Sequence, residues 1–271
     1  MPLAVCATPI GNLDDVTLRV LAELREAELV LCEDTRHTRG LLRRHAIEPG
    51  GRLLSYHAHN EARRVAELLP RLEAGARVAL VTDAGLPAIS DPGARLVAAA
   101  LAAGVPVAVL PGPSAVETAL VASGLIGERY QFLGFLPRGE KALRALWDEL
   151  AAWPHPAVAF ESPQRLPATL RSLAASQPER PVAVCRELTK RFEEVLRGTA
   201  AELAERISEP PKGEITLVLG AAEARGDDSD ADAAAAAVAE LAAAGVPRGR
   251  AAEVVGRLTG VSRNRLYRDS L

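Results

Sequence analysis

Three loops of glycine, proline and small polar residues have the composition of a ligand-binding site. Each follows a short apolar run: Thr8-Pro9-Ile10-Gly11-Asn12-Leu13 after residues 3–7, segment 82–93 after residues 77–81, and Pro111-Gly112-Pro113-Ser114-Ala115 after residues 107–110. Glycine lets the backbone approach a ligand closely, and proline fixes the shape of a loop. One such loop is most simply a tight turn, but three within 115 residues predict loops that converge on one cleft.

Polar clusters near other apolar runs supply groups that can transfer protons or bind anions. Asp83 and Asp91 lie in the second loop, where their carboxylates can accept from ligand hydroxyls or amines, and Glu33-Asp34-Thr35-Arg36-His37-Thr38 follows an apolar run. Later loops add Glu161, Lys190 and Lys212. Surface ion pairs or helix capping explain any one of these groups equally well. Their density after the predicted strands nevertheless favours a polar substrate site.

Two histidines and a carboxylate, His57, His59 and Glu61, have the residue types of a partial metal site. A zinc site needs three or four convergent ligands, and no nearby residue in the sequence completes the set. We therefore interpret Asn60 as a helix cap and predict that the protein has no metal centre.

Short apolar runs alternate with amphipathic stretches in the first half of the chain, which predicts a mainly parallel sheet with helices on both faces. Strands are predicted at 3–7, 28–32, 53–56, 78–81 and 107–110, and helices at 16–27, 37–45, 61–74 and 94–103. Asp14 or Asp15 is predicted to cap the first helix, and Gly75 and Gly104 to end two others.

A second α/β block is predicted to follow. It has a bridging helix at 114–123, strands at 130–135, 157–160, 182–185 and 214–219, and helices at 141–152, 165–175 and 200–208. Its less uniformly apolar strands predict a mixed sheet. The expected fold class is α/β, with an N-terminal domain of residues 1–112, a C-terminal domain of residues 113–221 and a cleft at their junction.

Residues 222–271 are predicted to be a linker and a small basic helical tail. Segment 221–232 has a linker composition, and helices are predicted at 233–244, 248–258 and 263–270, with Ser262 as a cap. From Arg248 onward six arginines face two acids, in a chain whose net charge is -3. Short arginine-rich helices are typical of nucleic-acid docking, although a solvated helical cap explains the charge equally well.

The composition is that of an ordinary globular protein, with 48% hydrophobic and 25% charged residues. Cys6, Cys32 and Cys185 lie in separate apolar runs, so we expect buried free thiols and a reducing compartment. We find neither a basic-then-apolar leader nor an apolar run of membrane length, and expect a cytoplasmic protein without membrane association. The sequence lacks a strand-following GxGxxG, a GxxxxGK[ST] and a nucleophile elbow, which disfavours dinucleotide enzymes, P-loop nucleotidases and serine or cysteine hydrolases.

Taken in order along residues 4–268, these motifs resemble the tetrapyrrole (corrin/porphyrin) methylase superfamily, and within it the branch that methylates small-subunit ribosomal RNA. The matching segments are 8–13, 33–38, 59–61, 82–85, 89–93, 111–115, 134–137, 161–163, 186–190, 212–214 and 261–267. Glu-Asp-Thr-Arg-His at 33–37 and Arg-Glu-Leu-Thr-Lys at 186–190 are specific to that branch.

The resemblance implies two α/β domains with S-adenosylmethionine bound in the cleft between them, in a homodimer. It also implies methylation of the 2′-hydroxyl of a cytidine in the decoding region of small-subunit ribosomal RNA. By motif position, the cofactor-binding residues are Thr8, Pro9, Ile10, Gly11, Asn12, Asp83, Ala84, Gly85, Ile89, Ser90, Pro111, Gly112, Ser114 and Ala115.

A ribose hydroxyl is a poor nucleophile until it loses its proton, so a nearby base is expected. The candidates are Asp34, Glu161 and Lys190, and the sequence does not choose among them. Phosphate contacts are expected from Arg36, Arg39, Arg43, Arg44, Lys212, Arg263 and Arg265.

Three positions depart from the family pattern. Leu86, Phe160 and Gln164 stand where the family usually has a threonine, a tyrosine and a histidine. Two other functions stay open: a small-molecule methyltransferase acting on a corrin precursor, and a non-catalytic RNA-binding assembly factor. The basic tail and residues 33–38 argue against the first, and the second would not bind S-adenosylmethionine.

Overall fold

A computed structural model describes residues 2–222, 227–259 and 261–270 of the chain. The first sheet has the strand order β3-β2-β4-β1-β5, and every neighbouring pair is parallel. Strands β1–β5 span Leu3–Cys6, Leu29–Cys32, Leu53–Ser55, Val78–Leu80 and Val107–Leu110, and helices α1–α4 span Leu18–Glu26, Thr35–Arg44, Glu61–Glu73 and Ala94–Ala102. The predicted parallel sheet is confirmed, and the ends of its elements lie within two residues of the predicted ones.

Helices cover both faces of this sheet, as the alternation of side chains along β1 shows. Ala4 and Cys6 pack with residues of α1 and α2, whereas Leu3 and Val5 pack with residues of α3 and α4. All four side chains are buried because successive residues of a strand point to opposite faces. All five strands are parallel, so their carboxyl ends, and the loops that follow them, lie at one edge of the sheet.

The second sheet is mixed, as predicted. Strands β6–β10 span Gln131–Phe135, Ala157–Glu161, Pro181–Arg186, Glu194–Thr199 and Ile215–Leu219, in the order β6-β7-β10-β8-β9. Only the pair β6–β7 is parallel within this sheet. Helices α5–α8 span Ala115–Ser123, Glu140–Leu150, Leu166–Ser176 and Ala200–Arg206. Helix α5 packs on β7, β8 and β10, and Ile10 from the loop after β1 joins the same apolar cluster.

Three local predictions are wrong. Strand β9 was missed because it is an edge strand paired only with β8, so its sequence carries charges and Gly198 and lacks an apolar run. Asp14 and Asp15 lie in a short 3-10 turn, and the cap of α1 is Thr17, whose side chain accepts from the Val20 N–H. Residues 227–232 form the start of α9, because their four aspartates are favourable at the N-terminal end of a helix.

The C-terminal tail is a three-helix unit. Helices α9–α11 span Asp227–Ala243, Arg248–Thr259 and Arg263–Asp269 and pack around Val238, Ala252 and Leu266. Ser262 caps α11 as predicted, accepting from the Arg265 N–H at 3.5 Å. The three cysteines are buried and free, as expected. Within the described ranges, no helix combines the length and apolar character needed to cross a bilayer.

Candidate active site

Backbone hydrogen bonds join the loops that follow β1 and β4. The Thr8 N–H donates to the Gly85 carbonyl at 2.8 Å, and the Gly85 N–H donates to the Thr8 carbonyl at 3.0 Å. The Thr8 hydroxyl also donates to the Thr82 carbonyl at 2.9 Å. Two loops that are 70 residues apart in sequence therefore form one rigid wall.

The loop of residues 82–93 is held in an unusual backbone conformation. Ala88 and Ser90 have φ values of 72° and 62°, which non-glycine residues seldom adopt. Glu61 anchors the end of the loop, where its carboxylate accepts from the Gly93 N–H at 2.9 Å and from the Tyr56 hydroxyl at 3.0 Å. Strained residues of this kind cluster at functional sites.

The segment that connects β8 to β9 is strained in the same way and touches the loop after β1. Glu187 and Thr189 have φ values of 51° and 64°. Four of the five positive-φ non-glycine residues in the described part of the chain thus lie in two cleft loops. The Asn12 N–H donates to the Thr189 hydroxyl at 3.0 Å, and a Cβ on Gly11 would lie only 2.5 Å from Lys190 Cγ.

A cavity of about 740 Å³ lies where the loops of both sheets converge. Its volume falls in the range of cofactor sites. Ten of the fourteen predicted cofactor residues line it: Ile10, Asp83, Ala84, Gly85, Ile89, Ser90, Pro111, Gly112, Ser114 and Ala115. The second sheet contributes Phe135, Phe160, Glu161, Leu188 and Thr216, among others.

A smaller cavity of about 340 Å³ adjoins the large one. Thr8, Pro9 and Gly11 line it together with His37 and Lys190. The two cavities share Ile10, Asp83, Ala84 and Glu214. Among the predicted cofactor residues, Asn12 lines neither, because its side chain accepts from the Asp14 N–H and caps the 3-10 turn.

Three acidic side chains of the loops after β2 and β4 influence one another. Burial raises the pKa of Asp91 to about 6, and the charges of Glu33 and Asp83 add to that rise. Burial, reinforced by Asp83, likewise raises the pKa of Glu33. Asp91 lines the large cavity, so a half-buried carboxyl that titrates near neutrality faces the space where a ligand would lie.

Asp34 acts as a helix cap in the structure. It accepts from the Arg36 N–H at 2.7 Å and pairs with the Arg36 guanidinium at 2.7 Å, and that side-chain hydrogen bond holds the pKa of the carboxyl well below its usual range. Asp34 is not among the described residues that line either cavity. A carboxylate held in this way is a weak proton acceptor.

Glu161 lines the large cavity, but both of its carboxylate oxygens are engaged. Oε1 accepts from the Ser162 N–H at 2.6 Å, and Oε2 accepts from the Thr169 hydroxyl at 2.6 Å and from Arg165 at 3.2 Å. With the residue only 3% exposed, this network positions the loop after β7.

Lys190 is a paired cation. Its Nζ lies 3.0 Å from Glu187 and 3.0 Å from Glu214. Burial acts to lower the pKa of Lys190, but hydrogen bonds to these carboxylates outweigh burial and hold the pKa above its ordinary value. An ammonium group with a raised pKa does not serve as a base at neutral pH.

The predicted RNA-contacting residues lie on the surface. Arg36, Arg39, Arg43 and Arg44 are exposed on α2, where Arg36 pairs with Asp34 and Arg44 with Asp14, each at 2.7 Å. Exposed pairs of this kind are weak, so a phosphate can replace the carboxylate. Lys212 and Arg263 are exposed, and Arg265 lies 3.4 Å from Asp269.

The three departures from the family pattern occupy different places. Phe160 and Leu86 line the large cavity, where Phe160 contributes a ring without a hydroxyl. Gln164 is exposed and is not among the described residues that line either cavity.

Known proteins resemble the chain over most of its length. The model of the family described as tetrapyrrole (corrin/porphyrin) methylases matches residues 2–204. Proteins named ribosomal RNA small subunit methyltransferase I are 43% identical in Micromonospora olivasterospora, covering 98% of this chain and 85% of that protein, and 45% identical in Mycobacterium tuberculosis H37Rv, covering 98% and 93%. The Thermotoga maritima protein of the same name is 44% identical over 222 residues, which cover 82% of this chain and 99% of that protein.

Solved structures share the fold. The methyltransferase CobJ superposes with a TM-score of 0.62 at 20% identity, covering 81% of this chain and 94% of that one. The uroporphyrin-III C-methyl transferase of Thermus thermophilus, complexed with S-adenosyl homocysteine, has a TM-score of 0.56 at 22% identity and covers 80% and 96%. These likenesses confirm the predicted α/β fold class.

Proposed function

The chain belongs to the tetrapyrrole methylase family and is a methyltransferase that uses S-adenosylmethionine, and we propose that its acceptor is ribosomal RNA of the small subunit. The observation that carries this proposal is the likeness to proteins named for that activity, at 43–45% identity over 98% of the chain. The finer acceptor we propose is the 2′-hydroxyl of a cytidine in the decoding region.

The residues of the large cavity fit the donor. S-adenosylmethionine has a flat adenine ring, a positively charged sulfonium and an ammonium group. Ile10, Phe160 and Leu188 offer apolar wall to a ring, and the carboxyl of Asp83 complements positive charge. When bound there, S-adenosylmethionine supplies an electrophilic methyl group.

We propose that the chain contributes orientation and proton removal. Holding the acceptor oxygen in line with the reacting bond accounts for roughly 7–11 kcal/mol of the barrier in well-oriented reactions. The strained loops 82–93 and 187–189 and their hydrogen bonds supply the rigidity that this needs. Of the cleft carboxyls, Asp91 is the best placed to accept the ribose proton.

The three base candidates from the sequence then take other roles in this proposal. Asp34 fixes the start of α2, Glu161 fixes the loop after β7, and Lys190 ties Glu187 to Glu214 beside the smaller cavity. We propose that these residues position the site and that none of them takes the proton. Alanine at the true base is expected to abolish methylation and leave donor affinity within a few-fold.

The acceptor is tested by offering small ribosomal subunits, free small-subunit RNA and a tetrapyrrole to the purified protein with isotopically labelled S-adenosylmethionine. Label in ribosomal RNA, mapped by mass spectrometry to one ribose, supports the proposal. Label only in the tetrapyrrole supports the small-molecule alternative, and no donor binding by calorimetry supports a non-catalytic factor. Ribosomes from a strain that lacks the protein should lack the same ribose methyl group.

The basic surface is expected to contribute through phosphate contacts. The double substitution Arg39→Ala and Arg43→Ala should weaken RNA binding and lower the slope of log affinity against log salt by roughly one to two, since each phosphate contact releases a counterion. Both residues are exposed on one stripe of α2. Fluorescence anisotropy at several salt concentrations measures the slope.

The control is Arg206→Ala, an exposed arginine at the end of α8, which should leave the slope unchanged. An equal slope in the double variant and the unaltered protein would contradict a phosphate role for α2. Deleting residues 228–271 tests the tail separately. The match to the Thermotoga maritima relative covers 82% of this chain, and the uncovered part is about the size of that tail.

We further propose a homodimer that acts in the cytoplasm. Edge strand β5 leaves Val109 53% exposed, and Val121 of α5 and Ile126 are 66% and 61% exposed. Exposed apolar side chains of this size, one of them on a sheet edge, suit burial against a second copy. Analytical ultracentrifugation should give twice the chain mass, and a monomer at micromolar concentration would oppose the dimer.

A further inference from the structure

An exposed phenylalanine stands at the mouth of the large cavity. Phe135 is 65% exposed and lines the cavity together with Ile89, which is 49% exposed. Phe135 is in β6 of the second sheet and Ile89 is in the loop after β4 of the first, yet their segments approach closely: a Cβ on Gly134 would lie 3.7 Å from Ser90 Oγ. The ring therefore stands at the rim of the cavity.

A β-bulge is what exposes the ring. In β6, Phe132 pairs with Val158 and Phe135 pairs with Phe160, so two intervening residues oppose one residue of β7. Gly134 is one of these two and has a φ of 66°, a conformation that suits glycine. A bulge re-aims the side chain that follows it, and bulges are frequent next to active sites.

Phe135 is the end of a row of three phenylalanine rings. Phe160 contacts it edge to face, with centroids 5.5 Å apart and planes at 61°, and Phe132 contacts Phe160 at 5.1 Å and 69°. Three of the four phenylalanines of the chain thus meet at this one rim. One edge-to-face contact restrains the orientation of a ring and covers at most one of its faces, and the 65% exposure of Phe135 leaves ring surface accessible to a partner.

From this geometry we infer that Phe135 is a positioning residue that stacks on the base of the acceptor nucleotide. This inference rests on the proposed function. Recognition of single-stranded RNA uses unstacked nucleotides whose bases stack on aromatic side chains. Asp91, the proposed base, lines the same cavity as Phe135 and Ile89, so a nucleotide whose base stacks on Phe135 has its ribose near the space that Asp91 faces.

The test is the kinetics of Phe135→Ala, Phe135→Leu and Phe135→Trp with small ribosomal subunits as acceptor. Phe135→Ala should raise KM for the acceptor about tenfold to a hundredfold, which is the range that the loss of one stacked base gives. Phe135→Leu keeps apolar volume without a ring and should also raise KM. Phe135→Trp keeps an aromatic ring and should have the KM of the unaltered protein. The control is Leu101→Ala, another exposed apolar residue near the end of α4, which should leave KM unchanged.

A second readout separates stacking from cavity packing. Donor affinity measured by calorimetry should stay within twofold in all variants, and the fluorescence of pyrrolocytosine, placed at the target cytidine of an RNA, should be quenched by the unaltered protein and not by Phe135→Ala. An unaltered KM in Phe135→Leu would overturn the inference. A loss of donor affinity that parallels the rise in KM, or quenching by Phe135→Ala equal to that by the unaltered protein, would also overturn it. Absence of ribosomal RNA methylation by the unaltered protein would instead overturn the proposed function itself.

Discussion

The substitution Asp91→Asn is expected to lower kcat for methyl transfer by about a hundredfold to ten-thousandfold, the range that a lost general base gives. Asparagine keeps the shape of the side chain and removes the proton acceptor. Affinity for S-adenosylmethionine should change by a few-fold at most, because the other cavity walls are untouched. Single-turnover methylation of small subunits measures the rate, and calorimetry measures the affinity.

The pH profile gives an independent check on Asp91. Burial raises its pKa to about 6, and a base works in its deprotonated form. The rate for the unaltered protein should therefore rise from pH 5 to pH 7 and then level off. Asp34→Asn is the matched control. Arg36 holds the pKa of the Asp34 carboxyl below its usual range, so this carboxyl is a poor base and its substitution should largely keep the rate.

The substitution Asp91→Asn should stabilise the fold at neutral pH although it lowers activity. The pKa of Asp91 is raised from 3.8 to about 6, so the native state binds the proton more tightly than the unfolded chain. The contribution of this group to stability therefore falls as pH rises between those two values. Asp91→Asn should raise Tm at pH 7.5, as calorimetry can show. A lower Tm with more than half the kcat retained would exclude Asp91 as the base.

The sequence predicted the parallel sheet well because its central strands β1 and β4 are buried on both faces. Residues 3–7 and 78–81 are continuous apolar runs that need no knowledge of tertiary contacts. The prediction missed strand β9 for the converse reason. An edge strand with Glu194, Arg197 and Gly198 depends on its pairing with β8 and has little pattern of its own.

The cleft loops were predicted from composition, but the roles of individual carboxyls were not. Whether an aspartate caps a helix or faces a cavity depends on neighbours that are distant in sequence. Asp34 meets Arg36 locally, whereas burial raises the pKa of Asp91, and the charge of Glu33, which follows a different strand, β2, adds to the rise. The sequence marked Asp91 as a hydrogen-bond acceptor in the second loop, and only the fold shows its burial.

The second large effect is expected from Gly11→Ala. Gly11 has no positive φ, so alanine can adopt its backbone conformation, and the effect is one of space alone. The added Cβ would lie 2.5 Å from Lys190 Cγ, 2.7 Å from Thr189 Oγ1 and 2.8 Å from the Leu188 carbonyl oxygen. The last of these is backbone, so the strained segment 187–189 has to move.

That movement should weaken donor binding as well as the fold. It separates the Asn12 N–H from the Thr189 hydroxyl and displaces Leu188, which lines the large cavity. We expect donor affinity to fall tenfold or more and the free energy of unfolding to fall by about 1–3 kcal/mol, as for other overpacked sites. Calorimetry with S-adenosylmethionine and chemical denaturation measure the two quantities.

Gly40→Ala is the matched control for this change. Gly40 lies within α2, and a Cβ there meets nothing within 4 Å, so alanine should leave donor affinity unchanged and stabilise the helix by up to about 1 kcal/mol. If Gly11→Ala destabilises the protein yet binds the donor normally, the contact between residues 11–12 and 187–190 is structural only. The donor site would then rest on the loops at 82–93 and 111–115, whose geometry Gly11 does not control.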